Sequence, residues 1–295
     1  MAPGTGVRNG QEVRKAMKNT IRVLQLQTIV QASKKDNLEN LRALLKERFE
    51  KDAPRPDLVT LGEMFTCPYE TKNFPVYAEE QDGESVAFLS CLAKEYGIFL
   101  SAGSIPEKDR EGHVYNSAFV FNPDGHVLAK HQKLHLFDIN VRGGQAFRES
   151  DTLTPGDSIT VFDTPFGKMG LCICFDARFP ELFRAMVLQG ARMILVPAAF
   201  NLTTGPAHWE ILFRQRAVDN QCFVIATSPA RDLSASYHAY GHSMVTDPWG
   251  RVVSEMDEKK GEAETLLDLS EIDAVREQLP LLSARRTDLY QPVSR

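Results

Sequence analysis

One cysteine in the sequence stands where a nucleophile could act. Residues 168–181 read K-M-G-L-C-I-C-F-D-A-R-F-P-E, and the alternation of large apolar and smaller residues predicts a half-buried strand that runs up to Cys174. Pro180 suits the start of a following helix, because the N–H that proline lacks is not needed there. A cysteine between a strand and a helix lies near the positive end of the helix dipole, which favours the thiolate. We therefore expect an exposed, reactive thiol at Cys174, with the guanidinium of Arg178 nearby.

A second cysteine competes for this role. Cys172 lies on the same face of the predicted strand as Cys174, so the alternation of side chains does not separate the two. Position does, because Cys174 is at the carboxyl end of the strand, where α/β sheets place their chemistry. Most free cysteines are nevertheless buried and inert. Position alone therefore leaves inert packing open as the alternative.

Three further ionisable residues could take part in the same chemistry. Glu63 directly follows the predicted strand 57–61, a location comparable to that of the cysteine. Lys133 comes soon after another predicted strand, and Glu149 lies in a long polar segment that follows it. Such long segments tend to be functional rather than mere connections. Taken singly, each of these charged residues would more often be a solvated surface group.

Neither a metal nor a nucleotide cofactor is expected. His131 and His135 are four residues apart, but no H-E-x-x-H motif or cysteine ligand set accompanies them, so we interpret both as structural. The sequence contains neither G-x-x-x-x-G-K-[ST] nor G-x-G-x-x-G, the usual motifs for phosphate and dinucleotide binding. It also lacks the C-G-[SA]-C-[WY] signature, which ranks a Cys–His protease below the other interpretations.

The composition is that of an ordinary globular chain. Of its 295 residues, 43% are hydrophobic and 25% are charged, which supports a sizeable core. The net charge of −5 without a long basic run makes nucleic acid an unlikely partner, and no apolar run approaches the ~20 residues of a membrane helix. The five cysteines form no C-x-x-C pair, which favours a reducing compartment. We expect the cytoplasm, with the mitochondrion as the alternative.

The predicted elements indicate an α/β protein. Strands alternate with helices and hairpins, which favours mixed sheets with helices outside them. Helices are predicted at 37–50, 86–96, from Pro180, at 207–220 and from Ser270, where Ser270 and Asp273 resemble a capping box. Strands are predicted at 21–27, 57–61, 98–104, 115–121, 126–130, 159–162, 168–174, 193–196, 223–226, 241–246, 251–255 and 263–268. No repeat or linker divides the chain, so we predict a flexible tail over 1–19 and a single domain over 20–295.

The segment around Cys174 resembles the nucleophile motif of the nitrilase superfamily of carbon–nitrogen hydrolases, which is close to G-x-x-I-C-[YFW]-D-x-R-F-P-E. Residues 170–181 match it, which identifies Cys174 rather than Cys172 as the nucleophile. Further family segments match in the same order, namely 62–65 around the catalytic glutamate, 133–138 around the lysine, and Glu149 ahead of 152–156. The resemblance implies a four-layer αββα sandwich that hydrolyses an amide through a cysteine thioester, without a cofactor and as a homodimer. Its catalytic set would be Glu63, Lys133, Cys174 and Glu149.

Two later segments, 199–210 and 226–232, resemble the omega-amidase branch of that superfamily. This branch hydrolyses the terminal amide of α-keto acids such as α-ketoglutaramate and α-ketosuccinamate. The resemblance implies a pocket for the carboxylate of such a small-molecule substrate, formed by Arg178, Phe200 and Thr204 with Tyr69 nearby. The alternatives are an amidase for deaminated glutathione, a general aliphatic amidase and, outside catalysis, a binding module. A binding module has no need of Glu63, Lys133 and Cys174 together.

Arg178 carries the prediction about specificity. Arginine offers a rigid fork of donors that matches a carboxylate in bidentate geometry, and this residue follows the nucleophile by four positions. We predict that it binds the substrate's carboxylate and that Thr204 adds a hydroxyl donor beside it. The structural alternative is an arginine that pairs with Asp176 or Glu181 and only braces the turn.

Overall fold

The strands form two six-stranded sheets and one short hairpin. The first sheet contains β1 (Thr20–Gln27), β2 (Leu58–Thr60), β3 (Phe99–Lys108), β4 (Val114–Phe121), β5 (Val127–Gln132) and β14 (Gly261–Asp268). The second contains β8 (Thr160–Phe162), β9 (Lys168–Leu171), β10 (Ala191–Pro197), β11 (Phe223–Thr227), β12 (Met244–Thr246) and β13 (Val252–Glu255). The hairpin pairs β6 (Asp138–Asn140) with β7 (Ala146–Arg148). These elements come from a computed structural model, which describes residues 17–143 and 145–290.

Helices cover the outer faces of both sheets. They are α1 (Lys34–Glu50), α2 (Phe74–Tyr77), α3 (Glu84–Tyr96), α4 (Pro180–Leu188), α5 (Gly205–Asn220) and α6 (Ser270–Gln278). Helices α1 and α3 pack on the first sheet, and α4 and α5 pack on the second. The architecture is the predicted four-layer αββα sandwich. None of the helices in the described chain is both long enough and apolar enough to cross a bilayer.

Strand β1 shows why the layers form as they do. Successive side chains of a strand point to opposite faces of its sheet. Ile21 and Val23 therefore face the second sheet and belong to the core between the sheets, whereas Leu24 and Leu26 face α1 and α3. Leu38, Leu41 and Leu45 of α1 recur at helical spacing and are buried against that outer face. Because β1 is apolar on both sides, it becomes an interior strand of a covered sheet.

Each sheet has parallel strands at its centre. Strands β1, β2 and β3 run parallel in the first sheet, and β9, β10 and β11 run parallel in the second. Parallel strands share one edge for their carboxyl ends, and α/β proteins place ligand sites at such edges. The chain leaving β2 carries Glu63 and the chain leaving β9 carries Cys174. The two sheets therefore present their functional candidates at one common edge.

Two local predictions are wrong, and one short hairpin was missed. Strand β9 ends at Leu171, and residues 174–178 form a 3-10 turn, so the strand stops before Cys174. The long polar segment contains the hairpin β6–β7, which was not predicted. Helix α6 begins without a side-chain cap, because the Ser270 hydroxyl donates to Asp268 Oδ1 at 2.7 Å instead of serving a capping box with Asp273.

The predicted tail of residues 1–19 is described only from residue 17 onward, and the rest of it lies outside the described residues. The Lys18 N–H donates to the carbonyl of Pro165 at 2.9 Å, and the Asn19 carbonyl accepts from the N–H of Leu269 at 2.7 Å. These two residues are therefore bound to the domain, contrary to the prediction that the tail extends to 19.

Candidate active site

Three predicted catalytic residues meet where loops leave the strands. Glu63 follows β2, Lys133 follows β5, and Cys174 follows β9. The side chains of Glu63 and Lys133 are fully buried, and Cys174 is 4% exposed. Gly62, next to the glutamate, allows this convergence, because a Cβ atom there would lie 2.5 Å from the backbone nitrogen of Pro229. The packing of two loops from different sheets thus depends on a glycine beside the catalytic carboxylate.

Lys133 lies between two buried carboxylates. Its Nζ donates to Oε1 of Glu63 and to Oε1 of Glu149, both at 2.9 Å. Glu149 is fixed from its other side, where Oε2 accepts from the backbone N–H of Phe137 at 2.6 Å. The ammonium neutralises carboxylates that would otherwise repel each other in a medium of low dielectric constant. The structure therefore brings Glu63, Lys133 and Glu149 together, as the sequence predicted.

Tyr69 belongs to this cluster rather than to a separate carboxylate pocket. Its hydroxyl lies 2.6 Å from Glu149 Oε1 and 3.0 Å from Glu63 Oε1, and Lys133 Nζ donates to it at 3.4 Å. Burial and the charges of Glu149 and Glu63 raise the pKa of Tyr69 well above its usual value. The phenol therefore stays a hydrogen-bond donor. The sequence placed Tyr69 near the carboxylate pocket as a substrate-binding residue, and that role stays a prediction.

The charges of the cluster determine its protonation. Burial by itself lowers the pKa of the Lys133 ammonium, but the negative charges of Glu149 and Glu63 outweigh it and raise that pKa above its ordinary value. Burial raises the pKa of Glu149, and Lys133 opposes that shift. Lys133 is consequently a permanent cation at neutral pH. It can stabilise a negative oxygen, which a neutral amine could not do.

Cys174 differs from the exposed thiolate that the sequence predicted. The side chain is buried, and its backbone adopts φ = 45°, a left-handed conformation that is unusual for a residue with a Cβ. Burial raises the pKa of the thiol well above its usual value, and the charge of Glu63 raises it further, while Lys133 opposes both. The resting sulfur is therefore a neutral thiol. A base must take its proton before it can attack, and Glu63 is the carboxylate beside it.

Asp176 secures the turn that presents Cys174. Its Oδ2 accepts from the N–H of Ile173 at 3.0 Å and lies 3.1 Å from His131 Nε2. Its Oδ1 lies 2.8 Å from His135 Nδ1 and accepts from the backbone N–H of the same histidine at 3.0 Å. Both histidines thus have structural contacts, in agreement with their interpretation from the sequence. Both oxygens of Asp176 are engaged, so this carboxylate does not pair with Arg178 as the structural alternative required.

Replacing Asp176 by asparagine should lower the free energy of unfolding at pH 7 by about 2–4 kcal/mol, because it leaves buried donors without their charged acceptor. Burial alone raises the pKa of Asp176, but the hydrogen bonds from His131 and His135 outweigh it and hold the pKa well below its usual range. The carboxylate therefore stabilises the fold fully above the unfolded value of about 3.9 and loses that contribution as the pH falls below it. Denaturant unfolding between pH 7 and pH 3 measures the free energy of unfolding. It should decrease more steeply with falling pH in the wild type than in the variant.

Asp268→Asn is the matched control for this measurement. Asp268 also accepts from a backbone N–H and a hydroxyl, both of Ser270, but it is exposed. Its replacement should leave the free energy of unfolding nearly unchanged, since water can satisfy the freed donors. Equal losses for the two variants would show that Asp176 does not brace the turn.

Arg178, the cation of the predicted carboxylate pocket, is not neutralised by any acid among the described residues. Within residues 17–143 and 145–290, Arg178 forms no salt bridge, and its Nε is buried without a hydrogen-bond partner. Its guanidinium lies over the ring of Phe200 at 4.8 Å and over that of Phe175 at 5.6 Å. Burial lowers the pKa of Arg178, while the neighbouring Cys174 opposes that shift. The cation thus lies near enough to Cys174 to be influenced by its charge, and its Nε has no partner among the described residues.

Phe200 and Thr204 lie where the loop after β10 enters α5. Phe200 is buried and packs edge-on against Trp209, with ring centroids 5.1 Å apart. The Thr204 hydroxyl donates to Asn201 Oδ1 at 3.0 Å. Its hydrogen is therefore already used, which corrects the prediction that Thr204 supplies a hydroxyl donor to the substrate.

Sequence reasoning missed two residues of the site. Asn116 Nδ2 donates to Glu63 Oε1 at 2.8 Å from within β4. Tyr237 packs its ring on that of Tyr69, with centroids 4.6 Å apart, and its hydroxyl donates to the carbonyl of Ala199. The Ala199 N–H in turn donates to Glu63 Oε2 at 2.9 Å. No local pattern marks these positions, because their importance comes only from contacts between distant parts of the chain.

A group of potential metal ligands occurs elsewhere in the described chain. Ligand atoms of Asp109, Glu111 and His113 lie within 4.8 Å of one another on the turn between β3 and β4. His113 Nδ1 already contacts Asp109 Oδ2 at 3.0 Å, and two of the three residues are exposed. In the catalytic cluster, the Lys133 ammonium occupies the position between the carboxylates where a cation would bind.

A buried cysteine beside a carboxylate and an ammonium is equipped for nucleophilic cleavage of an acyl bond. Located at the common edge of two sheets in an αββα sandwich, it defines a hydrolase of the cysteine-nucleophile class. The model of the family called carbon-nitrogen hydrolase matches residues 20–277. The chain belongs to this family.

Relatives of known function and structure agree with this assignment. The omega-amidase NIT2 of Mus musculus is 50% identical over 92% of this chain and 97% of its own length. The omega-amidase NIT2 of Homo sapiens is 46% identical over the same shares. The crystal structure of Nit3 from Saccharomyces cerevisiae, a member of branch 10 of the nitrilase superfamily, superposes with a TM-score of 0.84 at 42% identity and covers 92% of this chain and 98% of that one.

Proposed function

We propose that this protein is an omega-amidase, which hydrolyses the terminal amide of α-keto acid ω-amides such as α-ketoglutaramate and α-ketosuccinamate to the α-keto dicarboxylate and ammonia. The observation that carries the proposal is Arg178, a partly buried guanidinium beside the nucleophile that no carboxylate of the described chain neutralises. A buried charge without a partner costs several kcal/mol. A substrate that brings its own carboxylate removes this cost. The omega-amidases that share about half of the residues of this chain support the same substrate class.

The first half of the reaction forms a thioester. Glu63 takes the thiol proton, and the sulfur of Cys174 attacks the amide carbonyl carbon. Oε1 of Glu63 already accepts from Asn116 and Lys133 and lies 3.0 Å from the Tyr69 hydroxyl, whereas Oε2 accepts from the Ala199 N–H alone. Oε2 therefore has the free lone pair that receives the proton. The C–N bond then breaks, Glu63 returns the proton to the leaving nitrogen, and ammonia departs.

The second half consumes water and restores the enzyme. Glu63 takes a proton from the water that attacks the thioester carbonyl, and the C–S bond breaks as the proton passes to the sulfur. In both halves the carbonyl oxygen becomes negative, and the ammonium of Lys133 stabilises it. Removal of one such donor commonly reduces the rate by about 10² to 10³. Glu149 holds Lys133 in place through the contact at 2.9 Å, and the Phe137 N–H fixes Glu149.

Ammonia release from a panel of amides tests the substrate class. The wild type should prefer α-ketoglutaramate over a neutral aliphatic amide, because only the former carries a carboxylate for Arg178. Arg178→Lys keeps a cation but loses the planar fork, so kcat/KM for α-ketoglutaramate should fall roughly tenfold or more. Turnover of the neutral amide should change much less. Preference of the wild type for neutral amides or for deaminated glutathione would refute the proposal, and so would equal losses on both substrates in the variant.

We also propose that residues 20–295 form one domain that assembles as a homodimer in the cytoplasm. The pairing of β1 with β14 along their whole lengths supports a single domain, since it joins the two ends of the chain. Exposed Ile211 and Trp249 line one groove beside α5, and exposed apolar surface of this kind supports association. All five cysteines are free thiols, which supports a reducing compartment. Light scattering of the purified protein would measure its oligomeric state.

A further inference from the structure

The guanidinium of Arg178 has one partner that its role in substrate binding does not explain. Arg178 Nη1 lies 3.1 Å from Nδ1 of His208, a residue in the first turn of α5. Arginine can only donate hydrogen bonds, so Nδ1 must offer its lone pair and the imidazole must carry its proton on Nε2. Burial and the charge of Arg178 lower the pKa of His208. The histidine is therefore neutral in this contact and acts as an acceptor.

Helix α5 fixes Arg178 in two ways. Arg216, two turns further along the helix, donates from Nε to the carbonyl of Ala177 at 2.9 Å and from Nη2 to the carbonyl of Arg178 at 3.2 Å. These bonds hold the backbone of the turn. The contact with His208 then holds the side chain from the same helix. One helix therefore holds both the backbone and the guanidinium of Arg178.

The contacts of Arg178 fix the direction in which its other hydrogen-bond donors point. The guanidinium is a planar fork, so fixing Nη1 and stacking the plane over Phe200 at 4.8 Å sets the direction of the other N–H groups. Nε is buried and has no partner among the described residues. Buried donors in proteins are nearly always satisfied, so a ligand with acceptor oxygens is the natural complement of this edge.

We infer that His208 is a positioning residue for the substrate's carboxylate: its Nδ1 holds one edge of the Arg178 guanidinium so that the other edge meets the carboxylate. The inference rests on the proposed omega-amidase function and assigns to that site a further residue that determines specificity. His208 does not touch the reacting atoms. Its loss should weaken the binding of carboxylate-bearing amides and leave the chemical step unchanged.

His208→Ala tests this role through the separation of KM from kcat. With α-ketoglutaramate, KM should rise roughly three- to tenfold, the effect expected for the net loss of one hydrogen bond, while kcat stays within about twofold. With a neutral aliphatic amide, neither constant should change. His208→Asn places an amide oxygen near the position of Nδ1, and KM for α-ketoglutaramate should return to within about twofold of the wild type.

Glu210→Gln is the control in the same turn of α5. Glu210 is exposed and pairs with Arg214 at 2.8 Å, so its replacement tests whether any surface change in this turn alters KM. An unchanged or lower KM in His208→Ala, a fall in kcat on both substrates, or failure of the asparagine variant to rescue would overturn the inference. These results are distinct from a failure of the proposed function, which the wild type alone would reveal by lacking a preference for α-ketoglutaramate.

Discussion

Replacing Cys174 by alanine should reduce turnover by at least about 10⁴-fold while the protein remains folded, because the thioester cannot form without the sulfur. Alanine retains the Cβ atom, so the left-handed backbone at φ = 45° is equally strained in both proteins. We therefore expect thermal unfolding of the variant to match that of the wild type. Ammonia release measures the activity. Mass spectrometry of the wild type quenched with substrate should show an acyl group on Cys174.

Cys172→Ala is the matched control for the nucleophile. Cys172 is also fully buried, and burial raises the pKa of its thiol well above the usual value, with Asp176 adding to that shift. Its N–H donates to the carbonyl of Leu195 at 3.1 Å, which continues the pairing of β9 with β10. Cys172 therefore lies outside the turn that holds Cys174. The variant should keep most of its activity. An acyl adduct on Cys172, or activity that survives in Cys174→Ala, would show that Cys174 is not the nucleophile.

The sequence predicts the layers of this protein because the periodicity of its long elements is strong. The alternation in β1 assigns Ile21 to one face and Leu24 to the other, and the structure places them in two different cores. Strands β6 and β7 have three residues each, too few for a period of two to show. Their hairpin pairs Asp138 with Arg148 across the two strands, a register that no local pattern contains.

In the candidate site, too, local patterns predict some features, and contacts between distant residues decide the others. Motifs predict Glu63, Lys133, Glu149 and Cys174, and the structure brings the first three into direct contact. The environment of Cys174 was predicted wrongly, because a local helix dipole suggests a thiolate whereas burial and a carboxylate 111 positions earlier in the chain raise the pKa of the thiol. The partners of Asp176 likewise come from residues 45 and 41 positions away. Protonation depends on such distant neighbours, and so it could not be read from the motif.

Replacing Glu63 by glutamine should separate the two effects of this carboxylate on the nucleophile. The variant lacks the base, so kcat/KM should fall by about 10² to 10⁴. It also loses the negative charge that raises the pKa of Cys174, while the cation of Lys133 remains. The pKa of the thiol should therefore decrease. The protein would become a poorer enzyme with a more acidic nucleophile, a combination that simple damage to the site does not produce.

The rate of Cys174 alkylation by iodoacetamide as a function of pH measures the second effect, with the modified residue identified by mass spectrometry. The profile of Glu63→Gln should shift to lower pH than that of the wild type, since the thiolate is the reactive form. Glu107→Gln is the control, because Glu107 is also a buried glutamate that accepts from a lysine, Lys130 at 2.9 Å, and from the hydroxyl of Ser117. That variant should retain both its activity and its alkylation profile. A profile that shifts to higher pH in Glu63→Gln would mean that Glu63 lowers the pKa of the thiol, and the assignment of the resting sulfur as a neutral thiol beside a charged base would be wrong.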